Sequence, residues 1–168
     1  MSEEKTGYVE DKGLSEMFFK TRGRLNRWRY FKRRLVLGIA LTMLLTLGWR
    51  LLGYEYGHVS TSATVYNAII TLIFVVPTYC LNVRRLQDMN RGKFLAVVYA
   101  ILTAVMAFLD FNVLELYQQN VLSFAVLLMA FFSLAISLYM VIAPGTRGKN
   151  SYGPSPISIS LKNEIKGR

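Results

Sequence analysis

The chain is 168 residues long, about one domain, and 53% of it is hydrophobic with a mean hydropathy of +0.33, above the roughly 45–50% apolar content of soluble domains. Its net charge of +10 would ordinarily raise nucleic acid as a partner, but the cations fall in separate pieces beside apolar blocks, and nucleic acid is disfavoured. One cysteine, Cys80, excludes an internal disulfide and reads as a small core residue; with a single histidine, His58, it cannot build a zinc cage, so neither metal nor cofactor is expected.

Residues 1–19 are polar and mixed in charge and read as a flexible leader, ending in a short interfacial turn at Met17, Phe18 and Phe19. From Lys20 to Arg34 acids vanish and eight cations appear, interleaved with Trp28, Tyr30 and Phe31. Cations beside aromatic rings mark the headgroup level of a membrane. No cleavable secretory signal is read ahead of the first apolar run, which begins at Leu35.

Residues 35–54 form the first predicted span, about 30 Å at about 1.5 Å per residue, with Arg50 near its far end and Gly38, Thr42 and Thr46 as a small face for helix contact. The second span, 63–83, carries Thr64, Asn67, Thr71, Thr78 and Asn82 within about 60° of one another. That polar stripe reads first as hydrogen bonding to neighbouring helices, and second as the lining of a hydrated path or a binding cavity. Pro77 interrupts the same helix.

The link from Arg84 to Lys93 carries four cations and one acid, so it must emerge at a membrane face. Arg84 and Asp88 are spaced i, i+4 and pair if the helix continues through them. Asp88 reads as a tie between arginines of neighbouring segments. The third span covers 94–116, with Asp110 at a depth matching Arg50, which predicts an Arg50–Asp110 pair. The fourth covers 121–143 and ends at Pro144-Gly145, followed by a turn-rich stretch and a tail at 157–168.

Nineteen of the twenty Lys and Arg lie on one side of this arrangement. The chain is therefore expected to be all-α, a bundle of four transmembrane helices spanning 20–156, with both termini cytoplasmic in a bacterial inner membrane.

Three ordered segments resemble a known family. Phe19 with Gly23-Arg24 and Arg27 resembles its opening motif, Arg84-Arg85-Leu86-Gln87-Asp88 its Arg-Arg-Leu-His-Asp link, and Pro144-Gly145 through Asn150, Tyr152-Gly153 and Pro156 its tail. The family is the YhaH/YhaI-type bacterial inner-membrane group, domain of unknown function 805. Gln87 stands where the family pattern has histidine. The resemblance implies a small multi-spanning inner-membrane protein and no particular reaction.

Arg22, Arg24, Arg27, Arg84, Arg85, Asp88, Arg147 and Asn150 form the candidate binding set for an anionic group. Arginine forks and turn-forming glycines suit a lipid phosphate or an acidic cytosolic protein partner. The leading expectation is a membrane scaffold or sensor binding anionic membrane lipids. The alternative is a channel or transporter, a homo-oligomer lined by the polar stripe. No enzyme is expected, since Asp88 has no companion acid or nucleophile.

Overall fold

The computed structural model of the chain describes residues 11–52, 61–108 and 120–156. Among the described residues five helices follow in order: α1 (Gly13–Phe19), α2 (Arg27–Leu51), α3 (Thr61–Asp88), α4 (Phe94–Phe108) and α5 (Asn120–Ile142). Among the described residues no strand occurs; the only pairing outside the helices is a bridge between Asn150 and Gly153.

Local chemistry sets where the helices begin and stop. Asn26 is extended, and its side-chain oxygen accepts from the Arg29 backbone N–H at 2.8 Å, which caps α2. The cations from Arg27 onward therefore occupy the first turns of the helix rather than a separate strip ahead of it. The helix α3 runs beyond its apolar stretch through Arg84 and Arg85 to Asp88. Asn90, in the left-handed region at φ 57, turns the chain out of it. The predicted 84–93 link thus begins as helix and only then becomes a turn. A helix also stands at 13–19, where a flexible leader was expected.

The helices α2, α3 and α5 are long and apolar enough to cross a membrane. Their 25, 28 and 23 residues reach about 35–42 Å, more than a hydrocarbon core of about 30 Å. The apolar helix α4 is shorter, with 15 residues, and the rest of the predicted 94–116 span extends outside the described residues.

The outward faces are the apolar ones. Leu35, Ile39, Met43 and Leu47 on α2 are exposed, as are Ile69, Ile73 and Val76 on α3 and Phe124, Leu127, Phe131 and Leu134 on α5. Stripes of this kind at helical spacing need hydrocarbon around them, because water would make them one large exposed patch. The chain is a membrane protein.

The buried apolar core is gathered at one end. Leu25, Tyr30, Leu81, Leu86, Met89, Ala96 and Met140 belong to it, and all lie near the basic segments. Further along, α2 and α3 approach at Gly48. A Cβ there would collide with the Tyr66 ring, whose hydroxyl donates to the Leu44 carbonyl at 2.9 Å. The small face predicted at Gly38, Thr42 and Thr46 is not the contact. A Cβ on Gly38 would meet nothing within 4 Å, and Thr42 and Thr46 are exposed. The ring of Tyr66 fills the space that glycine leaves at 48, so the close approach falls ten residues later.

Candidate functional site: a buried arginine clasp

Every helix ends with carbonyls that have no partner in the helix itself. At the basic end of this bundle, α3 and α5 finish side by side, and each supplies what the other lacks. Arg85 on α3 reaches to the end of α5, donating from Nε to the Met140 carbonyl at 2.7 Å and from Nη2 to the Ala143 carbonyl. A cation on the last turn of a helix also meets the negative end of its dipole. In return, the segment after α5 closes α3. Thr146 donates from its N–H and its hydroxyl to the Asp88 carbonyl at 2.8 and 2.9 Å. Asn150 Nδ2 donates to the Gln87 carbonyl at 2.8 Å. The Leu25 N–H, from the segment ahead of α2, donates to the Arg84 carbonyl at 3.1 Å.

The side chains between these ends form the charged centre. The Asp88 carboxylate takes Arg24 Nε on Oδ1 at 3.1 Å and Arg85 Nη1 on Oδ2 at 2.6 Å. Arg24 continues into the tail, donating from Nη1 to the Gly148 and Gly153 carbonyls and from Nη2 to the Thr146 carbonyl. Arg24, Arg85 and Asp88 are 3%, 0% and 3% exposed, so water does little of the solvation. A buried carboxylate between two guanidinium groups is tenable because nearly every donor has an acceptor in the chain itself. Gly145 makes room for it, since a Cβ there would run into the Asp88 carboxylate. Tyr30 completes the layer beneath, donating its hydroxyl to Asn82 Oδ1 at 2.9 Å and lying 3.8 Å from Met140 Sδ.

A second carboxylate fastens the segment ahead of α2. Asp11 accepts Arg84 Nη2 on both oxygens, at 3.0 and 2.8 Å, and Arg33 Nη1 at 2.9 Å. Arg84 and Arg33 also donate to the Glu16 and Met17 carbonyls of α1 at 3.2 and 2.9 Å. Burial pushes the Asp11 carboxyl up, and the hydrogen bonds and charges of Arg84 and Arg33 outweigh it, so the net shift is below the usual carboxylate value.

Arg84 and Asp88 therefore do not form the i, i+4 pair expected from their spacing. Arg84 is held by Asp11, and both Asp88 oxygens are taken by Arg24 and Arg85, the latter at i+3. Of the predicted binding set, the structure brings Arg24, Arg85, Asp88 and Asn150 into one connected network and places Arg84 beside it. Arg22, Arg27 and Arg147 are exposed around it. Gln87, at the family's histidine position, donates from Nε2 to the Thr21 carbonyl at 3.1 Å. Arg50 is exposed in the last turn of α2, and Asp110 lies outside the described residues, as does the predicted pair.

Three members of the polar stripe meet side chains of α2. Asn67 accepts from Trp49 Nε1 at 3.0 Å, Thr78 from Arg34 Nη1 at 2.9 Å, and Asn82 from the Tyr30 hydroxyl. Thr71 and Thr78 line a cavity, and Thr64 is half-buried. Sequence reasoning missed Asp11, Tyr30, Arg34 and Gly145 as functional positions. The one signal available was the isolation of Pro144-Gly145 directly after an apolar run, which marks a helix end but not its occupant.

Compared with known proteins, residues 18–154 match a family model described as "Protein of unknown function (DUF805)". No curated protein and no solved structure matches the chain.

Proposed function

Because the chain belongs to the DUF805 family, to which no activity is attached, we propose from its geometry that it is a non-catalytic membrane scaffold with a rigid basic surface. In this reading four helices cross a bacterial inner membrane, both termini lie in the cytoplasm, and the clasp stands at the inner headgroup level. Its exposed cations gather anionic lipid, and an acidic cytosolic partner would meet the same surface.

One observation carries the reading: the cations of the motifs are sorted. Arg24, Arg84 and Arg85 are buried and bonded within the chain, whereas Arg22, Arg27 and Arg147 are left exposed around them. The buried set holds the surface in shape and leaves the exposed set free to meet anions, each worth roughly 1 kcal/mol against an anionic leaflet. The channel reading has less support, because Asn67 and Asn82 are engaged by side chains of α2, and the hollow that Thr71 and Thr78 line is walled mainly by apolar side chains.

The test is a count of lipids retained by the full chain purified in mild detergent, with phosphatidylglycerol and phosphatidylcholine supplied equally and read by native mass spectrometry. The wild type should retain mainly phosphatidylglycerol. The R22E/R27E/R147E variant should lose most of that excess while unfolding at an unchanged temperature. An undiminished excess would overturn the role of the exposed cations.

A further inference from the structure

One arginine stands apart from both carboxylates. Arg34, two turns into α2, donates from Nη1 to the Thr78 hydroxyl at 2.9 Å and from Nη2 to the Tyr99 hydroxyl at 2.8 Å, and its guanidinium lies 5.4 Å from the Tyr99 ring centroid. These partners are neutral, as is the Tyr30 hydroxyl beside it, and among the described residues no carboxylate lies within ion-pair distance of it. The same residue stands at the junction of two hollows. One, of about 340 Å³, lies among α2, α3, α4 and α5 and is lined mainly by apolar side chains, with Thr71, Thr78, Tyr99, Thr103 and Ser137 as polar points besides Arg34. The other, of about 400 Å³, follows the outside of α2 past Gly38 to Thr42. Arg34, Leu35 and Gly38 border both.

We propose that this is a binding site for one anionic phospholipid, with the phosphodiester on Arg34 and one acyl chain lying in the apolar groove past Gly38. The charge fits: among the described residues this cation, set among neutral partners at the edge of hydrocarbon, has no carboxylate such as Asp88 gives Arg24 and Arg85 and Asp11 gives Arg84. The geometry of the guanidinium fits as well. Its fork offers donors suited to phosphate oxygens, while Tyr99 and Thr78 hold it in place. So does the length. From Arg34 to Thr42 is eight residues, about 12 Å along the helix, enough for a stretch of acyl chain beside Gly38. Of the anions carrying such a chain, a phospholipid suits a groove that opens to the outside of the bundle, because its second chain remains in the bilayer. The site rests on the membrane placement proposed above and not on the exposed cations.

The same mass-spectrometric measurement on the full chain separates the two. Wild type should hold a single phosphatidylglycerol through activation that strips the others, and hold it at least about tenfold more tightly than phosphatidylcholine. Arg34→Gln should abolish that preference. Gly38→Leu keeps the charge and fills the groove, where a Cβ has open space, and it should weaken the single lipid at least tenfold with an unchanged unfolding temperature. R22E/R27E/R147E should keep the single lipid while losing the general excess, so failure of one proposal does not resemble failure of the other. The site is refuted if Arg34→Gln and Gly38→Leu both retain the lipid as wild type does. Equal retention of phosphatidylcholine, or displacement of the phosphatidylglycerol by equimolar oleate, would also overturn it.

Discussion

Arg85 and Arg34 both project from long helices near the basic end, yet their surroundings are opposite. Arg85 is fully buried, shares Asp88 with Arg24, and donates further to the Leu25 carbonyl and to the Met140 and Ala143 carbonyls at the end of α5. Arg34 is partly exposed, meets two hydroxyls and a ring, and borders open space. A charge at the edge of hydrocarbon is settled either by complete internal pairing or by contact with what lies outside the chain, be it water, a headgroup or another ligand. The first makes a fixed joint, and the second is where the proposed lipid would sit.

Removing the acid of the joint gives the largest expected effect. Asp88→Asn leaves Arg24 and Arg85 facing each other without a carboxylate, and should destabilise the chain by about 3–5 kcal/mol, read as a lower unfolding temperature in detergent. Gly145→Ala should follow at about 1–3 kcal/mol, because the added methyl displaces the Asp88 carboxylate. A wild-type melting curve for either variant would break the contrast drawn here.

Acid should act on Asp11 next. Its pKa is lowered in the folded chain, so its stabilising contribution is present above the unfolded value and is lost as pH falls through the folded one. The protection of backbone amides in α1, taken relative to their intrinsic exchange rate at each pH, should accordingly fall below roughly pH 4, and Asp11→Asn should show that low protection already at pH 7. The smallest effect belongs to Arg34→Gln. With no carboxylate partner among the described residues to abandon, and two hydrogen bonds and a ring contact to lose, it should cost about 1 kcal/mol even where it removes a bound lipid. A loss as large as that of Asp88→Asn would place Arg34 in the joint instead.

Several of these features could be read in the residues alone. Apolar blocks separated by cationic segments announce helices that cross a membrane, because the bilayer admits few other structures. The Arg84-Arg85-Leu86-Gln87-Asp88 segment marks itself through its single acid among cations. The partners do not. Asp11 lies 73 residues from Arg84, and its leader resembles any solvated mixed-charge stretch. The arginine that pairs with Asp88 on its own helix was misjudged from spacing, since a competing carboxylate on a distant segment decides which guanidinium is free. Gly48 rather than Gly38 carries the close approach because the ring opposite is that of Tyr66, and helical periodicity says nothing about which aromatic faces which glycine.

The reciprocal closure of α3 and α5 also orders events in time. Arg24 and Arg85 leave the ribosome long before Met140, Ala143, Thr146 and Gly148, which accept from them. Through most of synthesis the early arginines therefore wait for acceptors that do not yet exist. The last dozen residues before Pro156 act as the key that locks helices already threaded through the bilayer. A nascent chain halted just ahead of Thr146 would carry its hydrophobic segments in place and its latch undone.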